Sequence, residues 1–469
     1  MAVPNRRLSL FNALVFAGAL LLSAPSSAKL LQYCLHQLEA IPSQPNRQSL
    51  LKLRLLQDQL QLAAAEGDSA ELGQCALLLR HRLQQQTGTD LTDPRWLALR
   101  AELEHQLSDS GGQLTLTDAR CLDGLDATPP LVLSLNRPSV QGYLRQAEHP
   151  GCRQAVWQHH QNRGRSLEGA PVQLWLQLSH EQAQRQGHHH ALASQLSSLP
   201  WQEPEPADQF LANLTTDDDS LPWQPALSPP LAIEPASVAS DSLHWQAAQL
   251  EMTLKPLDEQ SWQLWRGQRY LGELRLQAGP DSRLRIAQRH WIGHTPNQST
   301  LTYRQSSWRQ RHWLQWMGLV TQALVGAQGQ TIEQGAASLQ QARALGQEWA
   351  RQPLLQQQLL GQSLDKQPRY PASELLRARL ALQLWRYPSQ SGQALIQGQD
   401  ALYRHYYDRP RPDILSWQSD SGILLHGGQL LLPIYHRYLA QQWVEDQLSG
   451  DLLLDWLTPV PAQPGETAR

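Results

Sequence analysis

The sequence predicts a mainly α fold with a small embedded β-sheet. Leucines recur at helical spacing over 49–65 and 70–85, and apolar residues keep that period in most of the chain beyond 299. The stretch 244–288 instead alternates with period two, as in Gln249-Leu250-Glu251-Met252-Thr253-Leu254. Breakers fall between the helical stretches, at Pro42-Ser43-Gln44-Pro45, Gly67-Asp68 and Gly111-Gly112.

Taken in order, 30–86 reads as helices. Thr92-Asp93-Pro94 starts another, with Asp93 as cap and Pro94 at the first helical position, where a missing N–H is harmless. Residues 126–138 are rich in breakers, 139–161 return to a helical pattern, and a loop over 164–171 precedes a helix over 172–186. Residues 201–242 carry Pro204, Pro206, Pro222, Pro225, Pro229, Pro230, Pro235 and Asp217-Asp218-Asp219, which predicts a long surface connection. Two to four short strands follow, with turns at Arg266-Gly267 and Gly279-Pro280-Asp281. The clear helices beyond are 306–327, 336–361, 373–386, 395–406 and 430–448. The expected division is a leader (1–28), an N-terminal helical region (29–200), a Pro/Asp-rich connection (201–243), a β insert (244–298) and a C-terminal helical region (299–469).

The leader reads as a signal peptide. Arg6 and Arg7 precede a mostly apolar run over 8–22, and Ser26-Ser27-Ala28 supplies small residues for cleavage. A membrane anchor is the competing reading, but the run is short for a spanning helix and no later segment is apolar enough to span. The sequence before Cys34, Leu30-Leu31-Gln32-Tyr33, is not a lipoprotein box. The expectation is a periplasmic or secreted protein without a stable membrane span. Cys34, Cys75, Cys121 and Cys152 then allow two disulfides in three pairings, or four buried thiols. Cys34 and Cys75 sit on neighbouring predicted helices, which favours Cys34–Cys75 with Cys121–Cys152. The formal charge of −3 becomes −5 without Arg6 and Arg7, which argues against nucleic acid as the main partner. Seventeen tryptophans indicate either an aromatic core or a lined groove.

Two separated stretches resemble the thimet oligopeptidase and oligopeptidase A family of zinc metallopeptidases. One runs from Leu131-Val132-Leu133-Ser134-Leu135 through Pro138, Tyr143 and Cys152-Arg153 to Asn162-Arg163-Gly164, then Leu174, Leu178, Glu181-Gln182-Ala183 and Gly187. The other is His426 with Tyr435 and Tyr438, nine and twelve residues later, similar to a His and two Tyr beside the family's active site. Leu271-Gly272-Glu273-Leu274-Arg275-Leu276 also stands where the family has a strand pair before its zinc helix. The resemblance covers 130–450 thinly. Taken alone, Tyr435 and Tyr438 are one helical turn apart and read as packing.

The family binds zinc through HExxH, two His on one helical face with a Glu as general base, and a Glu twenty-five residues after the second His. This chain has no HExxH. Counting forward from Leu301-Thr302 sets Arg311 and Gln315 on the two His, His312 on the base Glu and Gln340 on the third ligand, with Trp349 following as in the family. Arginine has no lone pair to donate and repels a dication. The resemblance therefore implies a two-lobed helical metallopeptidase-like fold whose metal site has degenerated, with no catalytic residue and no cofactor. It implies a channel that holds peptides, with Tyr435 and Tyr438 donating to the peptide backbone beside His426. Two alternatives stay open. An active zinc oligopeptidase would use His290, His294 and Glu333, although Thr295-Pro296 would end a helix there. A structural or regulatory role would pair the chain with an envelope protein. His180-Glu181 lacks a second His, with Gln184 in its place, and His188-His189-His190 reads as a solvated helix end.

Overall fold

The computed structural model describes residues 27–446 apart from 43–45, 67–74, 77, 81, 84–92, 110–111, 126, 163–169, 202, 217–220, 225–227, 330–338, 366–367, 387–391 and 410–419. The expected leader lies almost wholly outside the described residues, as does Asp217-Asp218-Asp219. Within them the chain is mainly α, with sixteen α-helices and two small sheets.

Helices α1 (Ser27–Ala40) and α2 (Arg47–Glu66) are followed by Cys75, which pairs with Cys34 across a Cα–Cα distance of 6.3 Å. Leu38, Leu53, Leu56 and Leu79 close a small core around that bridge. Helix α3 (Pro94–Asp109) begins at Pro94 as expected, with the Arg95 amide donating to Asp93 Oδ1 at 2.8 Å. Strands β1 (Gln113–Leu116) and β2 (Leu131–Ser134) form an antiparallel pair. Beside them, α4 (Arg137–Gln146) and α5 (Pro150–Gln161) replace the single helix expected over 139–161. Pro150 has no N–H and its ring would collide with the preceding turn, so the chain restarts there, with His149 Nδ1 capping Cys152 N. Cys121 pairs with Cys152 at a Cα–Cα distance of 5.3 Å, so both expected disulfides are present.

Helices α6 (Ala170–Arg185) and α7 (Ala191–Leu196) come next. The expected surface connection contains two helices instead, α8 (Pro204–Asn213) and the start of α9 (Pro235–Gln249). Pro204 and Pro235 occupy first helical positions, where proline's fixed φ suits the helix. Ala207, Leu211, Val238, Ala239 and Leu243 are buried, so these helices belong to the interior packing.

The main sheet has five strands rather than two to four: β3 (Thr253–Asp258), β4 (Ser261–Arg266), β5 (Arg269–Gly279), β6 (Arg283–Gln288) and β7 (Asn297–Arg304), ordered β3-β4-β5-β7-β6. The extra strand runs into the region expected to be helical from 299. Strands β5 and β7 are parallel and the other pairs antiparallel. Gly272 makes the β5–β7 approach feasible. Its φ is 143°, and a Cβ there would fall on the backbone of Asn297.

The C-terminal helices are α10 (Gln310–Ala327), α11 (Gln340–Ala350), α12 (Pro353–Leu360), α13 (Ala372–Arg386), α14 (Gly392–Tyr407), α15 (Ser421–His426) and α16 (Leu431–Asp446). The helix expected over 336–361 breaks at Pro353, for the same reason as at Pro150, and ends on Gly361 with φ 66°.

Two large apolar cores organise the chain. One joins the five-stranded sheet to α9–α12 and encloses Trp308, Trp313 and Trp316. The other joins α3, α6–α8, α13 and α15 around Trp175 and Trp385. Helix α16 belongs to both, through Leu431 and Ile434 in the second and Ala440 in the first. Near this junction Glu348, 2% exposed, lies 2.9 Å from Arg369 and 3.4 Å from Arg351, and Glu374 pairs with Arg437. Burial raises the Glu348 pKa, and the flanking arginines oppose that shift. The N-terminal hairpin docks on β6 through Asp58, which Arg289 Nε contacts at 2.9 Å and Trp291 Nε1 at 3.2 Å. Among the described residues no helix is long and apolar enough to cross a membrane.

Candidate functional site

A cavity of about 230 Å³ opens between α3, α6, α7 and the end of α15. Trp96 and Trp175 form one wall, stacked with ring centroids 5.2 Å apart. Both indoles are held by their N–H groups: Trp96 Nε1 donates to Ser179 Oγ at 3.0 Å and Trp175 Nε1 to the Leu424 carbonyl at 2.8 Å. Trp385 meets Trp175 edge-on and donates to the Ile423 carbonyl at 2.9 Å, so the turn that presents His426 is pinned from two sides. Arg100 lies over the Trp96 ring at 5.4 Å and donates to Glu104 at 2.8 Å. Arg80 reaches the same cavity. Desolvation lowers its pKa, and the Arg100 charge adds to that. His426 stands at the rim, and desolvation followed by the Arg100 charge lowers its pKa as well.

Of the three residues expected to bind peptide, the cavity includes His426 alone. Tyr435 and Tyr438 stack on one face of α16 at 6.4 Å. They pack edge-on against Trp201 and Phe210, at 5.2 Å each. This cluster belongs to the second core, so in this structure the tyrosines take the packing arrangement that their spacing alone suggests. The sequence reading missed Arg80, Arg100 and Trp96. Trp96 and Arg100 share one turn of α3 and Arg80 comes from a separate segment, with no recognisable motif among them, so only His426 carried a signal.

The four positions aligned with the zinc site do not converge. Gln315 Nε2 donates to the Ser282 carbonyl at 3.1 Å, while Leu339, beside Gln340, accepts from Gln322 Nε2 at 3.1 Å. Gln322 lies seven residues beyond Gln315, which is about 10 Å along a helix. Counting along the sequence assumed a fixed length between α10 and α11, but their contact sets the register. Residues that do touch at the spacing i, i+4 and twenty-five further on are Met317, Thr321 and Gly346. A Cβ on Gly346 would fall inside Thr321 Oγ1 and the Met317 carbonyl. Gln246 from α9 closes this crossing: Thr321 Oγ1 donates to its Oε1 at 2.6 Å, and its Nε2 donates to the Met317 carbonyl at 3.2 Å. Gln246, Met317 and Thr321 are fully buried.

His312 sits in the first turn of α10, where its Nδ1 accepts from the Arg309 amide at 3.0 Å. Burial, and after it the charges of Arg311, Arg304 and Arg309, lower its pKa from 6.5 to about 4. His290 and His294 lie in a turn rather than on a helix. His290 is buried with Nδ1 2.7 Å from the Ala327 carbonyl, and His294 is exposed. Glu333 lies outside the described residues. His190 caps α7, accepting from Ala193 N at 3.0 Å. Among the described residues no three His, Cys, Asp or Glu side chains are grouped so as to hold a metal ion.

No family model matches the chain, and no curated protein does. Among solved structures it is similar to a chain described as PZ peptidase A with inhibitor 2, with 9% sequence identity and a TM-score of 0.44, over 90% of this chain and 88% of that one.

Proposed function

We propose that this chain is an exported, metallopeptidase-like protein that holds a short peptide without cleaving it. The observation that carries this reading is the cavity in which Arg80 and Arg100 face a wall of two stacked tryptophans, with His426 at the rim. Glu104 pairs with Arg100 at 2.8 Å and also acts on Arg80 at longer range, so two guanidiniums share one carboxylate. The net charge of about one guanidinium suits one carboxylate, the end of a peptide chain, through charge-assisted hydrogen bonds. The Trp96 ring, backed by the buried Trp175, suits the adjoining side chain.

Lack of hydrolysis follows in this reading from the α10–α11 crossing. A thioether, a hydroxyl and a glycine meet there, where three strong zinc ligands and a carboxylate base would be needed. Two lobes correspond to the two large cores that α16 joins. Export to the periplasm or beyond is supported by the leader pattern and by two disulfides, which persist in oxidising compartments.

Calorimetry with short peptides tests the proposal. Peptides with a free C-terminal carboxylate are expected to bind and their amides to bind about tenfold more weakly, with Arg80→Gln erasing the difference. The Tyr435→Phe, Tyr438→Phe double variant is expected to leave affinity unchanged. Chelator-sensitive cleavage of a quenched peptide by the purified protein would overturn the reading in favour of an active zinc enzyme.

A further inference from the structure

A second hollow, of about 380 Å³, lies where α4, the end of β7 and the first turn of α10 meet. Its lining carries four arginines, Arg145, Arg304, Arg309 and Arg311, and no carboxylate. Like charges gathered in one hollow repel one another. Asp281, near the rim, is 80% exposed and already paired with Arg304 at 2.8 Å. Arg304 Nε is nevertheless buried without an acceptor.

Arg311 is the more telling case. Its Nε lies 3.2 Å from His312 Nε2, and the Arg309 amide donates to Nδ1 of the same ring. A neutral imidazole accepts at one nitrogen only. The backbone donor cannot turn away, so Nε2 carries the proton and the Arg311 contact sets two donors face to face. The cap position of α10 is held by Arg309, a donor, where Ser, Thr, Asp or Asn would supply an acceptor. The positive end of an 18-residue helix dipole therefore opens onto the same hollow. Side chains, a ring proton and a helix end all present positive charge to one volume.

We infer that this hollow binds a phosphoryl group, either inorganic diphosphate or a phosphomonoester carried on a lipid. A phosphomonoester brings a charge of about −1.5 to −2 near neutral pH and three acceptor oxygens. Guanidinium forks match such oxygens two at a time. A single carboxylate would leave most of the cluster unmatched. The site shares no residue with the peptide cavity and does not depend on it.

Two titrations of the mature protein test the assignment. One uses inorganic pyrophosphate, with citrate as a polycarboxylate control, followed by calorimetry. The other uses phosphatidylcholine vesicles with and without phosphatidic acid, followed by co-sedimentation. The expected result is saturable binding in at least one arm, weakened about tenfold or more in the Arg309→Gln, Arg311→Gln double variant. Arg145→Gln, on the exposed side of α4, is expected to weaken it too and serves if the double variant does not fold. Binding in the pyrophosphate arm identifies a soluble ligand, and binding only to phosphatidic acid identifies the lipid headgroup. Absence of binding in both arms, binding unchanged in the variants, or citrate binding as tightly as pyrophosphate would overturn the assignment.

Discussion

Two stretches of α10 differ sharply. Its first turn, Arg309 to His312, faces a wide hollow lined by four arginines, of which Arg304 is paired with Asp281 and still has a buried nitrogen without an acceptor. Two turns further on, Met317 and Thr321 lie against Gly346 so closely that no side chain fits between, and Gln246 satisfies the polar atoms. Neither stretch suits a catalytic zinc, for opposite reasons. The first repels a cation; the second has no room and no strong ligand. The contrast shows that one helix can carry two opposite kinds of polar environment. A site near the surface can keep unmet charge that an outside ligand can meet, whereas a site inside the core must satisfy every polar atom internally.

The largest test of this contrast is Gly346→Ala. A Cβ there meets a hydroxyl and a backbone carbonyl that cannot both withdraw, so urea unfolding is expected to show a loss of about 3 kcal/mol. A loss below about 1 kcal/mol would mean that α10 and α11 are not in the close contact described. A smaller effect is expected from Thr321→Val, which leaves Gln246 Oε1 buried without its donor, at a cost of about 1–3 kcal/mol. Adding Gln246→Met should recover most of that, because both polar partners are then gone. Additive losses in the double-mutant cycle would argue against a closed network.

The smallest effect is expected at the open end, and it depends on pH. The His312 pKa in the fold is about 4, below its ordinary 6.5. Between those values the unfolded chain binds a proton that the folded chain does not. The His312 contribution is therefore fully present above 6.5 and is lost as pH falls towards 4. His312→Asn keeps an acceptor for the Arg309 amide and removes this titration. The variant should lose less stability than the parent between pH 7 and pH 5. His436, also lowered to about 4 by burial, titrates in both proteins and leaves some acid sensitivity in each. Equal losses would place His312 outside the electrostatic cluster.

Much of the architecture was legible in the residues. Leucine periodicity located α2, α13 and α16 to within a few residues, and the alternation over 244–288 located the sheet, although 244–249 proved to be the end of α9. The errors shared a cause, because proline has two meanings. Pro204 and Pro235 start helices that burial then secures, while Pro150 and Pro353 interrupt helices that periodicity alone would continue. Strand β7 was hidden because its short alternation adjoined a long helical pattern. At the candidate site, His426 was visible and its neighbours were not, since Arg80, Trp96 and Trp175 meet it only after three chain segments pack.

Local preference settled most of the helix and strand pattern, with the helices inside 201–242 and strand β7 as exceptions, and the placement of the cysteines on neighbouring elements favoured the pairing that is observed. Those properties depend on backbone sterics and on residues close in sequence. Which residue of α10 faces which residue of α11, whether two tyrosines line a cavity or fill a core, and where unpaired arginines collect were decided by tertiary packing. Such contacts join residues far apart along the chain, through loops whose length the helices themselves do not constrain.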